Sequence, residues 1–536
     1  MKRHIPLHVP QVLPLDWSRF LASAEVPTEE QLSRPEYQDD DDFYNSHVRV
    51  GIDSRALVYA AMHAFSCTLV PEVEYSRGGS FNVLFIMQFP DGFKVVARIP
   101  RQEGRAQGRV EFTVAMMTMA RYYQDIPVPE VYAWHPTNDN AVGAPYMLIE
   151  WVEGIEPWTQ WYNLSGDDRS VLLDELALYH TVFAKPLPFR GIGSVYFAEH
   201  HAEAQISFKD SSAYRLGPIF LGPTCTRRRD SLTCPRTTPE SLRDFWNSLW
   251  QNEVDSTANI HGSDLSSVIP SSEDEPLTVG RMLEVAQSLL ILIQNCQLPS
   301  QTLHPELYEP CIVATDYAFR NIKMDPLSRK VKSFLDWDDV YVAPFLLCSR
   351  YPEEICHVWG AGEEWYKIGG FYFLPLDVEG EVDMSRAIDA PARVENADDS
   401  SDRSSQSYGD GDEEEEEEEE DDLESDQTDS ELAKSTGDED HQPGDDVSDP
   451  DPEHDTEEYD RPRRIIDTKL RRQYEQLLAS HDRRFESDGF WEMRKLPLIL
   501  QHLLMHGWKE WLVKDEWIMD TAEKMKLSAE ALALTM

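Results

Sequence analysis

An aspartate and an asparagine five residues apart, Asp316 and Asn321, stand in a stretch that reads as a tight loop between short strands. Asp336 ends an apolar, strand-like run, Val331-Lys332-Ser333-Phe334-Leu335, and Asp338 follows two places later. These residue types suit phosphoryl transfer. One carboxylate can orient an acceptor hydroxyl or take its proton, while an amide oxygen and a second carboxylate can hold the magnesium that bridges nucleotide phosphates. Asp316, Asn321 and Asp336 are the candidates for these roles, with Asp338 near enough to support the metal or the acceptor. An ordinary turn rich in Asp and Asn would carry the same residues, so the elements that must position them decide the matter.

Upstream, residues 53–66 read as a helix with Asp53 or Ser54 as N-cap. A turn at 75–82 containing Gly78, Gly79 and Ser80 leads into a strand at 83–89, an Asp91-Gly92 hairpin and a return strand at 93–99. Glycines let backbone amides approach an anion closely, so this turn can lie over phosphates, although a Gly-Gly hairpin without a ligand is the commoner case. Near its end the return strand carries Arg98, and the following helix, 111–123, opens with Glu111, its natural partner. A solvated arginine is the plain alternative. Helical spacing recurs at 172–183, with His180 read as a satisfied core residue, and at 242–250 and 279–294.

The order of these pieces resembles the aminoglycoside/choline phosphotransferase family, in a fungal-type form. The matching segments are Gly-Gly-Ser-Phe-Asn, Ala-Arg-Ile-Pro around Arg98, Ile-Pro-Val-Pro at 126–129, a hinge near 150–152, Asp316 with Asn321, and Asp336-Trp337-Asp338. The resemblance implies an α+β, bilobal protein-kinase-like fold: an antiparallel sheet in the small lobe and a large, mostly helical lobe. It implies ATP held by Gly78, Gly79, Ser80, Arg98 and Glu111, with the adenine at the backbone around Glu150 and Val152. It further implies Mg2+ on Asn321 and Asp336, Asp316 as base, and a small-molecule hydroxyl as acceptor. Ala314 stands where the family usually has His, Phe319 near its usual Pro, and Arg98 where a lysine is common. These departures keep a second reading open, a pseudokinase acting as a nucleotide-binding or protein-interaction module.

The composition sorts the remaining possibilities. The chain of 536 residues carries a formal −49, and residues 395–460 hold 32 acidic against 2 basic side chains, hence −30 of that total. Such a balance disfavours nucleic acid and anionic membrane surfaces, and no apolar run reaches the ~18 residues of a membrane span. The acidic tract cannot bury a core and reads as a disordered insertion, open to a basic protein partner. Expected boundaries are a leader at 1–45, a nucleotide-binding lobe at 46–152, a catalytic lobe at 153–390, the insertion at 391–460 and completing helices at 461–536. Seven scattered cysteines without a CxxC pair suggest a reducing compartment. The expectation is a cytoplasmic protein, with mitochondrial or nuclear residence left open.

Overall fold

The computed structural model describes residues 52–76, 82–100, 108–199, 206–219, 238–258, 279–348, 350–355, 456–486 and 490–535. The leader, the turn carrying Gly78, Gly79 and Ser80, and the acidic tract up to residue 455 lie outside them.

Helix α1, Ser54–Ala64, starts where Asp53 caps it, the carboxylate accepting from the amides of Arg55 at 2.9 Å and Ala56 at 3.0 Å. Five strands follow: β1 Glu72–Ser76, β2 Asn82–Gln88, β3 Lys94–Pro100, β4 Val131–His135 and β5 Tyr146–Glu150. They form one antiparallel sheet in the order β1-β2-β3-β5-β4. Helix α2, Arg109–Tyr122, enters between β3 and β4 in the chain.

Because strand side chains alternate, central β3 serves two cores. Val95, Ala97 and Ile99 pack with Leu57 and Phe65 under α1. Val96 turns the other way, into the core built around Val110, Val114 and Met117 of α2. Arg98 shares that second face, which places a cation toward the cleft between the lobes. Helix α2 is buried nearly all round, as expected of a helix lacking a polar side.

After the hinge, Ile155 pairs with Met324 by two backbone bonds, of 3.1 and 2.9 Å. Gly154 makes that approach possible: its φ is +154°, and an added Cβ would lie 2.7 Å from the Met324 carbonyl oxygen. The second lobe then supplies α3 Gly166–Phe183, β6 Ser194–Phe197, β7 Tyr214–Gly217, α4 Leu242–Ala258 and α5 Val279–Asn295. Four short strands follow: β8 Pro310–Ala314, β9 Ile322–Met324, β10 Val331–Phe334 and β11 Val340–Pro344, with β8 pairing β11 and β9 pairing β10.

Beyond the acidic tract the chain returns as α6 Thr456–His481, α7 Lys495–His506, α8 Trp508–Val513 and α9 Asp515–Thr535. Helix α6 packs on α3. There His180 is buried, with Nδ1 2.9 Å from the Tyr474 hydroxyl and Nε2 2.5 Å from the Cys348 carbonyl oxygen, a core residue with both nitrogens engaged. Helix α7 meets α4 through Trp246, whose indole nitrogen donates to Gln501 at 2.9 Å, and α9 lies along α5. Between α7 and α8 the chain breaks at Gly507, with φ +66°. The Glu253 carboxylate of α4 fills the space a Cβ would need and accepts from the Trp508 amide at 2.9 Å, so the partner helix caps α8.

Residues on both sides of the acidic tract thus bury one common core, from Leu172 and Val342 to Tyr474 and Trp511. The architecture is α+β, with an antiparallel sheet in the N-terminal lobe and helices dominating the rest. Among the described residues no helix is long and apolar enough to cross a membrane.

Candidate active site

Strand β8 ends at Ala314, and the chain turns through a short 3-10 helix, Phe319–Asn321, before β9. That turn folds Asn321 back on Asp316. Its amide nitrogen donates to Oδ2 of Asp316 at 2.8 Å and to the Asp316 carbonyl at 3.1 Å. Arg320, four residues after Asp316, donates to Oδ1 at 2.5 Å, and both side chains are 45% exposed. Glu354, buried below the loop, accepts from the Phe319 amide at 2.9 Å. Thr315 donates to the Asp339 carbonyl at 3.0 Å, and the Tyr317 hydroxyl donates to the Leu176 carbonyl at 2.9 Å. These three bonds fix the loop at the place where Ala314 offers no polar group of its own.

The second acidic segment is laid beside the first by a backbone bond, Leu335 N to Asn321 O at 2.8 Å. Trp337 is buried, and its indole donates to the Phe334 carbonyl at 2.9 Å. The carboxylates on either side of it face the other lobe. Nη2 of Arg98 lies 2.9 Å from Oδ1 of Asp336 and 3.0 Å from Oδ2 of Asp338. Asp336 keeps 39% of its side chain exposed, whereas Asp338 is buried.

Asp338, expected to support the metal or the acceptor, is bonded to the small lobe. Besides Arg98, it accepts from Asn82 of β2 at 2.8 Å, from Arg109 of α2 at 3.3 Å and from Thr113 of α2 at 3.5 Å. Burial pushes its carboxyl up, but the Arg98 and Arg109 guanidiniums, with Asn82 and Thr113, outweigh burial and hold it below the ordinary range.

One further expectation changes. The pairing of Arg98 with Glu111 is not formed among the described residues. Glu111 is on α2 beside β6 and β7, where burial pushes its carboxyl up against the opposing charge of Arg215. The helical period is the reason: Arg109 and Thr113, four apart, face Asp338, while Glu111 falls between them on another side. At the hinge the Glu150 side chain is held by its neighbours. Its carboxylate accepts from the Glu130 amide at 3.1 Å and from Arg121 at 3.4 Å, and its own amide donates to the Glu130 carbonyl at 2.8 Å. Glu150 and Val152 line a cavity of about 570 Å³ with Arg121, Asp125, Tyr179 and Lys332.

Asp316, Asn321 and Asp336 line one small cleft, a cavity of about 20 Å³ beside Trp337. Asn321 is oriented with its nitrogen on Asp316, which turns its amide oxygen elsewhere. The hydrogen bonds to Asp336 among the described residues all fall on Oδ1. An amide oxygen and a carboxylate oxygen are hard donors, so the set fits a magnesium ion in kind.

Residues 73–209 match the model of the phosphotransferase enzyme family. This chain resembles that family. The matched segment takes in the sheet, the hinge and α3 and ends before Asp316. Among curated relatives, a subtelomeric hrmA-associated cluster protein of Aspergillus fumigatus is 26% identical over 356 residues, covering 61% of this chain and 68% of that protein. The mitochondrial protein "altered inheritance of mitochondria protein 9" of Meyerozyma guilliermondii is 24% identical over 300 residues, covering 52% of this chain and 47%, about half, of its own length. Solved structures similar to the chain include the streptomycin–ATP–APH(2'')-IIa ternary complex, at 14% identity and a TM-score of 0.31, covering 56% of this chain and 74% of that one. Another is the GDP complex of aminoglycoside 2'-phosphotransferase-IIIa, at 15% identity and a TM-score of 0.30, covering 54% and 75%.

Sequence reasoning passed over Asn82, Arg109, Thr113, Arg320 and Glu354. Arg109 did leave a signal. A cation in the first turn of a helix opposes the helix dipole and calls for an anionic partner.

Proposed function

We propose that this chain is a phosphotransferase that moves the γ-phosphoryl group of ATP to a hydroxyl of a small molecule. One observation carries the reading: Asp316, Asn321 and Asp336, scattered over 21 positions of sequence, line a single cleft, with Arg98 of the other lobe against Asp336. The acceptor oxygen would attack the γ-phosphorus, the bond to the β-phosphate oxygen would break, and the hydroxyl proton would pass to Asp316. Asn321 orients that carboxylate. Asn321 and Asp336 would hold magnesium, which supplies charge neutralisation on the phosphates. Arg98 brings a permanent cation with a planar fork suited to phosphate oxygens. Catalysis of this kind is chiefly positioning and electrostatics, which the fixed loop provides.

A second reading rests on a specific feature. Arg320 sits on Asp316 and Arg98 on Asp336, so both working carboxylates are already neutralised by arginine. A pseudokinase that binds nucleotide or a protein without turnover would show the same pairs. The acidic tract, on this reading, offers a surface to a basic partner. Incubating the purified chain with magnesium, labelled ATP and a metabolite library tests both. A phosphorylated product supports the transferase; nucleotide binding with neither product nor hydrolysis supports the pseudokinase.

A further inference from the structure

In a kinase-like lobe, the strand cation must be held in place relative to the helix behind it if it is to meet the phosphates. Here the helix carboxylate that would do so, Glu111, faces elsewhere. A different group occupies the junction. Oδ2 of Asp338 lies 3.0 Å from Nη2 of Arg98 on β3 and 3.3 Å from Nη2 of Arg109 on α2. Asn82 of β2 donates to the same oxygen at 2.8 Å, and Thr113 of α2 donates to the other at 3.5 Å. One carboxylate from the large lobe therefore gathers two strands and a helix of the small lobe.

All the charged members of this junction are buried. The side chains of Arg98, Arg109 and Asp338 are 8%, 4% and 9% exposed. Buried charges persist when they are paired with good geometry, and removing one partner leaves the other uncompensated. Arg109 has an added reason to depend on Asp338, because it sits at the positive end of α2. A shift of α2 must then move Asp338, and through it Arg98.

We propose that Asp338 is the positioning residue of the phosphate site: it couples α2 to β3 through two arginines and so sets where the Arg98 guanidinium stands. This rests on the phosphotransferase reading above. It reverses the usual charge order, an anion between two cations in place of a strand cation and a helix anion. Arg109 is closed off from solvent, and Asp338 is the group it shares with Arg98.

The test is a double-mutant cycle on Arg109→Met and Asp338→Asn, read as the dissociation constant for ATP with magnesium in folded protein. Each single change should weaken ATP by about tenfold, and the double variant should bind no more weakly than Asp338→Asn alone. Multiplying losses in the double variant, or parental affinity in Arg109→Met, would overturn the coupling while leaving the phosphotransferase reading in place. A parent protein that binds no nucleotide overturns that reading and the positioning role together. If Asp338→Asn does not fold, Arg109→Met decides alone: weaker ATP binding with an intact fold supports the coupling, and unchanged binding ends it.

Discussion

Arg98 of β3 and Asp336, two residues past β10, meet at 2.9 Å across 238 positions of sequence. The same guanidinium nitrogen lies 3.0 Å from Asp338, so one tethered cation is shared by two carboxylates. Any cation recruited to Asp336 must share it with that arginine. The phosphates of a nucleotide would relieve the competition by giving Arg98 another anion.

Asp336→Ala should therefore abolish the magnesium-dependent part of nucleotide binding while the fold persists, since its side chain is 39% exposed. Thermal shifts with ATP, taken with and without magnesium, measure that increment. An undiminished increment in the variant would remove Asp336 from the metal site.

Asp316→Asn keeps the shape of the side chain and its place beside Asn321, but removes the base. Transfer should fall by about 10²–10⁴-fold, the usual contribution of a positioned base. ATP affinity should survive, because Asn321 and Asp336 are untouched. Single-turnover rates and equilibrium binding on the same samples separate the two effects; equal rates in parent and variant would refute the assignment.

The helices after the acidic tract share the core of the large lobe, and Trp511 is fully buried among them. Trp511→Ala should cost about 3–5 kcal/mol, the range for emptying a buried aromatic site. Exchanging residues 395–455 for a short Gly/Ser linker should leave the melting temperature nearly unchanged, because closing a loop depends only weakly on its length. Ending the chain at residue 394 should give insoluble protein. Melting curves and sedimentation compare the three; matching behaviour of the linker and truncated variants would show that the later helices do not hold the fold.

His502 on α7 is buried and donates from Nε2 to Glu510 at 3.1 Å. Burial, helped by the charges of Arg350 and Lys514, holds its pKa well below the ordinary 6.5. The unfolded chain thus binds the proton first. This contribution to stability is complete above about pH 6.5 and declines as the pH falls toward the folded value, by up to ~1.4 kcal/mol per pH unit. Urea unfolding at a series of pH values should show His502→Gln with a shallower acid decline than the parent. Parallel curves would dismiss His502 as a source of that decline.

Much was legible in the sequence because it was local. Asp53 capping α1, the Gly92 hairpin and the alternation in β2 and β3 follow from neighbouring residues and short periods. Asp316 and Asn321 could be paired because five residues of tight loop leave little room to part them. Asp336 could be placed by the strand before it. Partners brought from distant segments could not be read this way. Nothing in the spacing of Asn82, Arg98, Arg109 and Thr113 says that they converge on Asp338; that depends on how the large lobe docks against the sheet and α2. The sequence offered Arg98 a charge-matched neighbour in Glu111, but charge alone does not say which face of a helix a residue takes. The 3.6-residue period puts Arg109 and Thr113 together and turns Glu111 aside. The sequence by itself determined the local elements and the loop that pairs Asp316 with Asn321, and the tertiary structure decided which carboxylates meet Arg98, because that depends on how distant segments dock.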